Sequence, residues 1–219
     1  MRPLPLKEEL SANRQAVSTI LIFHAVGLVG LILPFTRPIF LNIVPFHLLL
    51  MLAVLVLNHK PIDGRFISFF FIVFILGLVA EWIGIHTHFL FGDYSYGGTL
   101  GVKLSGVPLI IGCNWLMLIY STGVLMQRSR LKNFLIRSLI GALILVLLDV
   151  LIEPVAIHFD YWHWANSIIP LKNYICWFGV SFLMLLLFEA FRFRQQSVVA
   201  TVFLLTQFVF FGLLCLIIR

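Results

Sequence analysis

The sequence carries very little charge. Only 11% of its residues are Asp, Glu, Lys or Arg, against 61% that are hydrophobic. That leaves too few polar groups to solvate a globule of 219 residues, so a polytopic membrane protein is expected rather than a soluble domain. Cysteine is scarce as well: Cys113, Cys176 and Cys215 lie far apart, each inside an apolar segment, and no CxxC pair suggests metal or redox work. They read as small packing residues. The aspartate-rich DDxxD-type magnesium motif expected of an isoprenyl transferase is missing, as are the histidine boxes of membrane di-iron hydroxylases and desaturases. The last apolar segment has no lysine, which argues against a retinal Schiff base. The net charge of +6 would suggest nucleic acid in a soluble domain. Here the basic residues sit at the ends of apolar segments, as positive-inside topology requires, so no nucleic-acid partner is expected.

What is present is a series of apolar runs of spanning length. With roughly 20 apolar residues needed to cross a bilayer, seven spans are expected: Val17 to Phe35, Ile39 to Leu57, Phe66 to Ile85, Val107 to Met126, Phe134 to Glu153, Lys172 to Glu189 and Val198 to Ile218. The predicted fold is all-α, a single transmembrane helical domain over residues 1–219. The apolar run after the amino-terminal segment MRPLPLKEELSANRQ is longer than a signal-peptide core and lacks a small-x-small cleavage site, so it is expected to remain as the first span. One side of the predicted bundle holds Arg2, Lys7, Arg14, Lys60, Arg65, Arg128, Arg130, Lys132, Arg137, Arg192 and Arg194; the other holds only Arg37, Lys103, Lys172 and Arg219. This bias predicts a cytoplasmic amino terminus and an outward carboxyl terminus.

Both polar, aromatic connections then open on the outer face. The first, EWIGIHTHFLFGDYSYGGTLGVKLSGVP from Glu81 to Pro108, combines carboxylates, histidines, tyrosines and glycines that lipid would penalise unless they face protein, a cavity or the interface. The second follows Glu153 and contains FDYWHW. In each unit a span glutamate is followed by an aromatic-acidic cluster and then by Pro and Trp at equal spacing, Pro108 to Trp115 and Pro170 to Trp177. This regularity fits a diverged parallel repeat about an axis along the membrane normal, although prolines and tryptophans also collect at interfaces for other reasons.

Glu81 lies on a helical stripe with Gly77, Gly84 and His88, which predicts a face turned to protein. A carboxylate facing lipid would cost about 3 kcal/mol, so Glu81 is expected to be paired, protonated or exposed to a wet cavity, an interhelical clamp being the bland alternative. Asp149 and Glu153, four apart, share a face, and two carboxylates that close cannot both ionise cheaply, as acid-base chemistry requires. Pro154 is expected to end the regular helix there, which would leave Glu153 interfacial. Asp93, Tyr94 and Tyr96, with Asp160, Tyr161, Trp162 and Trp164, form the aromatic-acidic clusters; aromatic faces can stabilise a cation, but Trp162 and Trp164 read first as interfacial anchors. His86, His88, His158 and His163 fall near the outer face, yet their spacing matches no zinc signature, and no metal site is assigned. His24 and His47, inside the first two spans, are expected to make interhelical hydrogen bonds. Asp63, Glu189 and Arg192 read as loop and helix-end charges, and Glu189 and Arg192, three apart, can pair.

The run EWIGIHTHFLFGDYSYGGTLGVKLSGVPLIIGCNW, followed by DVLIEPVAIHFDYWHW and IIPLKNYICWF, resembles the membrane carotenoid 1,2-hydratase family, which includes the CruF-type and bisanhydrobacterioruberin hydratases. The likeness covers the third to sixth spans, and its FGxYxYGxxLGxKLxGVP pattern is specific. The chain departs from the family at Thr87-His88, where Thr-Gly is usual, and at Cys176, where Gly precedes the Trp. The resemblance implies a multi-pass protein of the bacterial inner membrane. It also implies addition of water across the terminal double bond of an acyclic carotenoid such as lycopene or γ-carotene, without a cofactor. A carotenoid dissolved in lipid is the implied partner, with other enzymes of the pathway as further candidates. Markovnikov hydration needs an acid, a stabilised tertiary cation and a base that orients water. On this reading Asp149 or Glu81 is the acid, Glu153 and Asp93 position water, and Tyr94, Tyr96, His88, Asn114, Trp115 and Tyr161 bind the substrate. The alternative is a carotenoid-binding or carrier protein without catalysis.

Overall fold

The structure, a computed structural model, describes residues 5–194 and 196–218. Arg2 and Arg219 of the charge count lie outside the described residues. Among the described residues eight α-helices make up most of the structure: α1 (Leu6–Ala12), α2 (Arg14–Ile32), α3 (Arg37–Leu57), α4 (Gly64–Thr87), α5 (Ile110–Arg128), α6 (Phe134–His158), α7 (Leu171–Phe191) and α8 (Val199–Ile217). The seven from α2 to α8 are long and apolar enough to cross a membrane. Four short strands, β1 (Tyr94–Tyr96), β2 (Lys103–Leu104), β3 (Val107–Pro108) and β4 (Trp162–Trp164), lie in the two polar connections.

The expected all-α architecture with seven spans is present; most boundaries shift by a few residues, and two of the shifts have local causes that bear on the site. The fourth span starts at Ile110, not Val107, because Val107 and Pro108 pair with Leu104 and Lys103 in a hairpin. Ser105 (φ 48°) and Gly106 (φ 83°) make its two-residue turn, which demands positive φ at both positions. The fifth span does not stop at Pro154: α6 continues to His158. A proline removes one N–H and one helical bond, which a packed membrane helix tolerates. The consequence is that Glu153 lies a turn inside α6 and is 1% exposed, not interfacial.

Helix α5 is the central element. Nearly all of its residues are buried, including the polar Ser121 and Thr122, and α4, α6, α7, α8 and α3 pack around it. The outer helices show lipid a fringe of exposed apolar side chains, such as Phe46 on α3, Ile75 on α4 and Leu147 on α6. Gly77 of α4 lets Trp115 come close: a Cβ there would sit 2.7 Å from the Trp115 Cβ. At the end predicted to be cytoplasmic, Glu9 of α1 accepts two bonds from Arg128 (2.9 and 2.6 Å) and one from the Val198 amide (2.9 Å), tying α1 to α5 and α8. Glu189 does not pair with Arg192. It takes both Nε and Nη2 of Arg137 from α6 (2.7 and 2.5 Å), while Arg192 leaves the helix in a left-handed conformation (φ 48°). His24 makes the expected interhelical bond, to Gln207 of α8 at 2.8 Å; among the described residues His47 makes none and instead meets the His24 ring edge-on.

Candidate active site

The two polar connections meet. β1 and β4 form an antiparallel pair with Tyr94 opposite Trp164, Ser95 opposite His163 and Tyr96 opposite Trp162. Strand alternation sends residues 94 and 96, and 162 and 164, to the same face of this ribbon. That face covers the ends of α4 and α6, where the glutamates lie.

Glu81, on α4, is buried and accepts three hydrogen bonds. The Tyr94 hydroxyl (2.5 Å) and Tyr96 hydroxyl (2.7 Å) donate to Oε2, and the Trp115 indole donates to Oε1 (2.9 Å). Burial, with the carboxylate of Glu81 beside them, holds both phenols well above their ordinary pKa, so they stay neutral donors. Gly84, one turn on, makes room for this arrangement; a Cβ there would lie 2.5 Å from the Tyr94 Oη.

Glu153, on α6, has a parallel set. The indoles of Trp162 (3.0 Å) and Trp164 (2.7 Å) donate to Oε2, and Asn173 Nδ2 donates to Oε1 (3.0 Å). The same Asn173 amide donates to Asp149 Oδ2 at 2.8 Å, so one NH2 group bridges the two carboxyls of α6. Asp149 is fully buried, and its Oδ1 has no hydrogen-bond partner among the described residues. Each glutamate is therefore held by two aromatic donors from the strand that follows it and by one donor from the next helix. Across the junction Trp115 and Trp177 stack at 4.3 Å.

Between the two glutamates lies a small polar cavity of about 30 Å³, lined by Glu81, Glu153, Tyr94, Tyr96, Trp162, Trp164, Asn173 and the tryptophan pair. At ~10–15 Å³ per water this holds about two. Beside it is an apolar chamber of about 440 Å³ enclosed by α2, α3, α5 and α8, a size typical of small-molecule sites. Asn114, Ile111 and Trp162 line both spaces.

Of the residues singled out from sequence, Glu81, Glu153, Tyr94, Tyr96, Asn114 and Trp115 line the polar cavity. Tyr161 lines the chamber instead. Asp149 stands behind the cavity and reaches it through Asn173. Asp93 and His88 are elsewhere: they pair with each other at 3.4 Å on the surface, with side chains 65% and 53% exposed. His88 leaves the α4 stripe because it caps the helix in a left-handed conformation (φ 56°). Asp160 is also outside; the Gly98 amide and His163 hold its carboxyl below the usual range, and it secures the loop between the strands. Trp162 and Trp164 are corrected from anchors to donors, since both indole N–H groups end on Glu153. Asn173 and Trp177 were missed as site residues, although both stand in the PLKNYICW run after the second cluster. Among the described residues no group of three or more His, Cys, Asp and Glu is placed to hold a metal ion.

One family profile, described as carotenoid biosynthesis protein, matches residues 41–219. No curated protein and no solved structure gives a significant match.

Proposed function

The chain belongs to the carotenoid biosynthesis protein family, and on that premise we propose that it is a hydratase, adding water across the terminal double bond of an acyclic carotenoid to give a tertiary alcohol. The observation that carries this reading is Asn114, which lines both the apolar chamber and the carboxyl-lined cavity. A hydrocarbon end lying in the chamber thereby meets acid, base and a water-sized space at one point. Phe23, Val26 and Phe46, on the lipid-facing sides of α2 and α3, line the chamber too, so a substrate dissolved in the bilayer reaches it sideways. With the amino terminus in the cytoplasm, the cavity lies toward the outer leaflet, within reach of bulk water.

Glu81 is the acid. It donates a proton to the less substituted alkene carbon, and the positive charge develops on the more substituted one, facing the π surfaces of Trp115, Trp177 and Tyr94. Water held in the cavity adds to that carbon and gives its extra proton to Glu153, leaving the tertiary hydroxyl. Water in the same cavity returns the proton to Glu81, so the cycle consumes only alkene and water. The donors distinguish the two glutamates: a tyrosine hydroxyl both donates and accepts and can pass a proton on, whereas an indole N–H only donates. Glu81 on its tyrosines is suited to exchange protons, Glu153 on its tryptophans to stay fixed as the acceptor. Asp149 acts through Asn173 as a positioning residue.

The test is expression in cells that make lycopene or γ-carotene. The expected product is pigment heavier by one water, lost with Glu81→Gln and Glu153→Gln while pigment still binds. A protein that binds pigment and never yields that product is a carrier, and the hydratase reading fails.

A further inference from the structure

The chamber has polar side chains at a second place. His24 lies mid-way along α2, His47 along α3 and Gln207 along α8, and all three line the chamber. On α2 the chamber lining runs from Leu31 to Phe23 and on α3 from Phe40 to Leu50, and His24 and His47 each lie seven residues from Leu31 and Phe40, about 10 Å from the carboxyl-bearing end toward mid-membrane. Polar groups at that depth are costly and are expected to be used.

Their hydrogen bonds are only half accounted for. His24 Nδ1 sits 2.7 Å from the Ile20 carbonyl and therefore carries the ring proton, which leaves Nε2 to accept the Gln207 amide N–H at 2.8 Å. His47 meets the His24 ring edge-on, with centroids 4.7 Å apart. Among the described residues neither nitrogen of His47 makes a hydrogen bond, and neither does Gln207 Oε1. The interhelical bond between His24 and Gln207 accounts for α2 and α8, and it leaves an open donor on His47 and an open acceptor on Gln207, both of them neighbours of the His24 ring.

We propose that His47 and Gln207, with His24 orienting the amide, form a subsite for the hydroxyl group of a hydroxylated isoprenoid chain. A hydroxyl is the neutral group that fits, since it donates to Gln207 Oε1 while accepting from the His47 N–H. A plain hydrocarbon leaves both unmet. This rests on the reading of the chamber as an isoprenoid site and adds a preference to it: a chain that already carries a hydroxyl is held better than its hydrocarbon parent. The product of hydration is such a chain.

The experiment uses purified protein loaded with lycopene, whose polyene absorbance reports displacement. The competitors are a C20 acyclic isoprenoid alcohol, its methyl ether and the corresponding hydrocarbon. The alcohol is expected to displace lycopene at an about five- to 100-fold lower concentration than the hydrocarbon, the worth of two net hydrogen bonds. The methyl ether, which cannot donate, should fall between them. His47→Phe should narrow the gap between the alcohol and hydrocarbon curves and His47→Phe with Gln207→Leu should close it, while His47→Gln keeps it. An unchanged hydrocarbon curve and elution volume would show that these variants are folded. Equal displacement by alcohol and hydrocarbon in the wild type, an ether as effective as the alcohol, or a gap that His47→Phe leaves undiminished would each overturn the proposal. Hydration without an alcohol preference removes the subsite alone, and an alcohol preference without hydration removes the hydratase reading alone.

Discussion

Trp115 and Trp177 stack with their ring centroids 4.3 Å apart and their planes 22° apart, and each is the seventh residue after a proline, Pro108 or Pro170, that precedes its helix. The contact joins equivalent positions of two helix-strand-helix units, just as β1 and β4 join equivalent strands. The halves differ in chemistry where they agree in geometry: hydroxyls face Glu81 and indoles face Glu153. At the position four before each glutamate one half has Gly77 and the other Asp149.

The two stacked rings should not be equally sensitive. Trp115→Phe keeps an aromatic face but removes the donor to Glu81, and a bond to a charged group is worth about 1.5–3 kcal/mol. If that bond is needed at the rate-limiting step, the rate of product formation should fall about 10- to 100-fold. The Trp177 indole makes no hydrogen bond to either glutamate, so Trp177→Phe should cost far less. Rates measured in membranes from cells expressing each variant decide it, and equal losses would contradict the assignment.

The difference between phenol and indole donors gives a second expectation. If Glu81 exchanges its proton through the tyrosines, Tyr96→Phe should lower kcat and enlarge the solvent deuterium isotope effect. Trp162→Phe should lower kcat and leave that effect unchanged, because the indole carries no mobile proton. Identical isotope effects in the two variants would assign both donor sets the same passive role.

These residues differed greatly in how readable they were. The seven spans were legible because each is a run of about 20 apolar residues, and Glu81, Asp149 and Glu153 stood out as carboxyls inside such runs. Composition alone groups Asp93 with Tyr94 and Tyr96, but it stands one residue before β1, and the strand's two-residue alternation carried back to it turns it away from the face of the tyrosines. Trp162 and Trp164 were misread since their target emerges only when β4 lies over the end of α6, and an interfacial tryptophan looks the same in sequence. Asn173 was hidden for a related reason. A single amide near a helix start has no pattern, and its role as a bridge depends on α6 and α7 packing side by side.

The glycines of α4 provide a steric test of the same site. Gly84→Ala would put a methyl 2.5 Å from the Tyr94 Oη and should push that hydroxyl off Glu81, lowering activity at least about tenfold, the equivalent of ~1.4 kcal/mol. Gly179 of α7 has open space around its Cβ position. Gly179→Ala should leave activity alone and raise thermal stability, by up to about 1 kcal/mol from helix propensity. Activity and melting temperature of the two variants, measured side by side, separate crowding at the site from a general intolerance of alanine.

The connection between α3 and α4 sets a pH dependence of stability that is independent of the active site. His59 is buried there, stacked on Phe66 at 3.8 Å, with Nδ1 2.9 Å from the Tyr120 hydroxyl. Burial pushes its pKa down from 6.5 to about 4, against smaller opposite pulls from Asp63 and the Pro61 backbone. An unfolded His59 takes up a proton near pH 6.5 and the folded one only near 4, so the unfolded state binds more protons between them. The stabilisation is therefore complete above about pH 6.5 and is lost as the pH falls toward about 4, a change on the order of 3 kcal/mol. Melting temperature in detergent should be flat above about pH 7 and decline below it. His59→Phe keeps the stacked ring but cannot be protonated, so its decline over the same range should be clearly shallower; parallel curves would mean that another group carries the acid sensitivity.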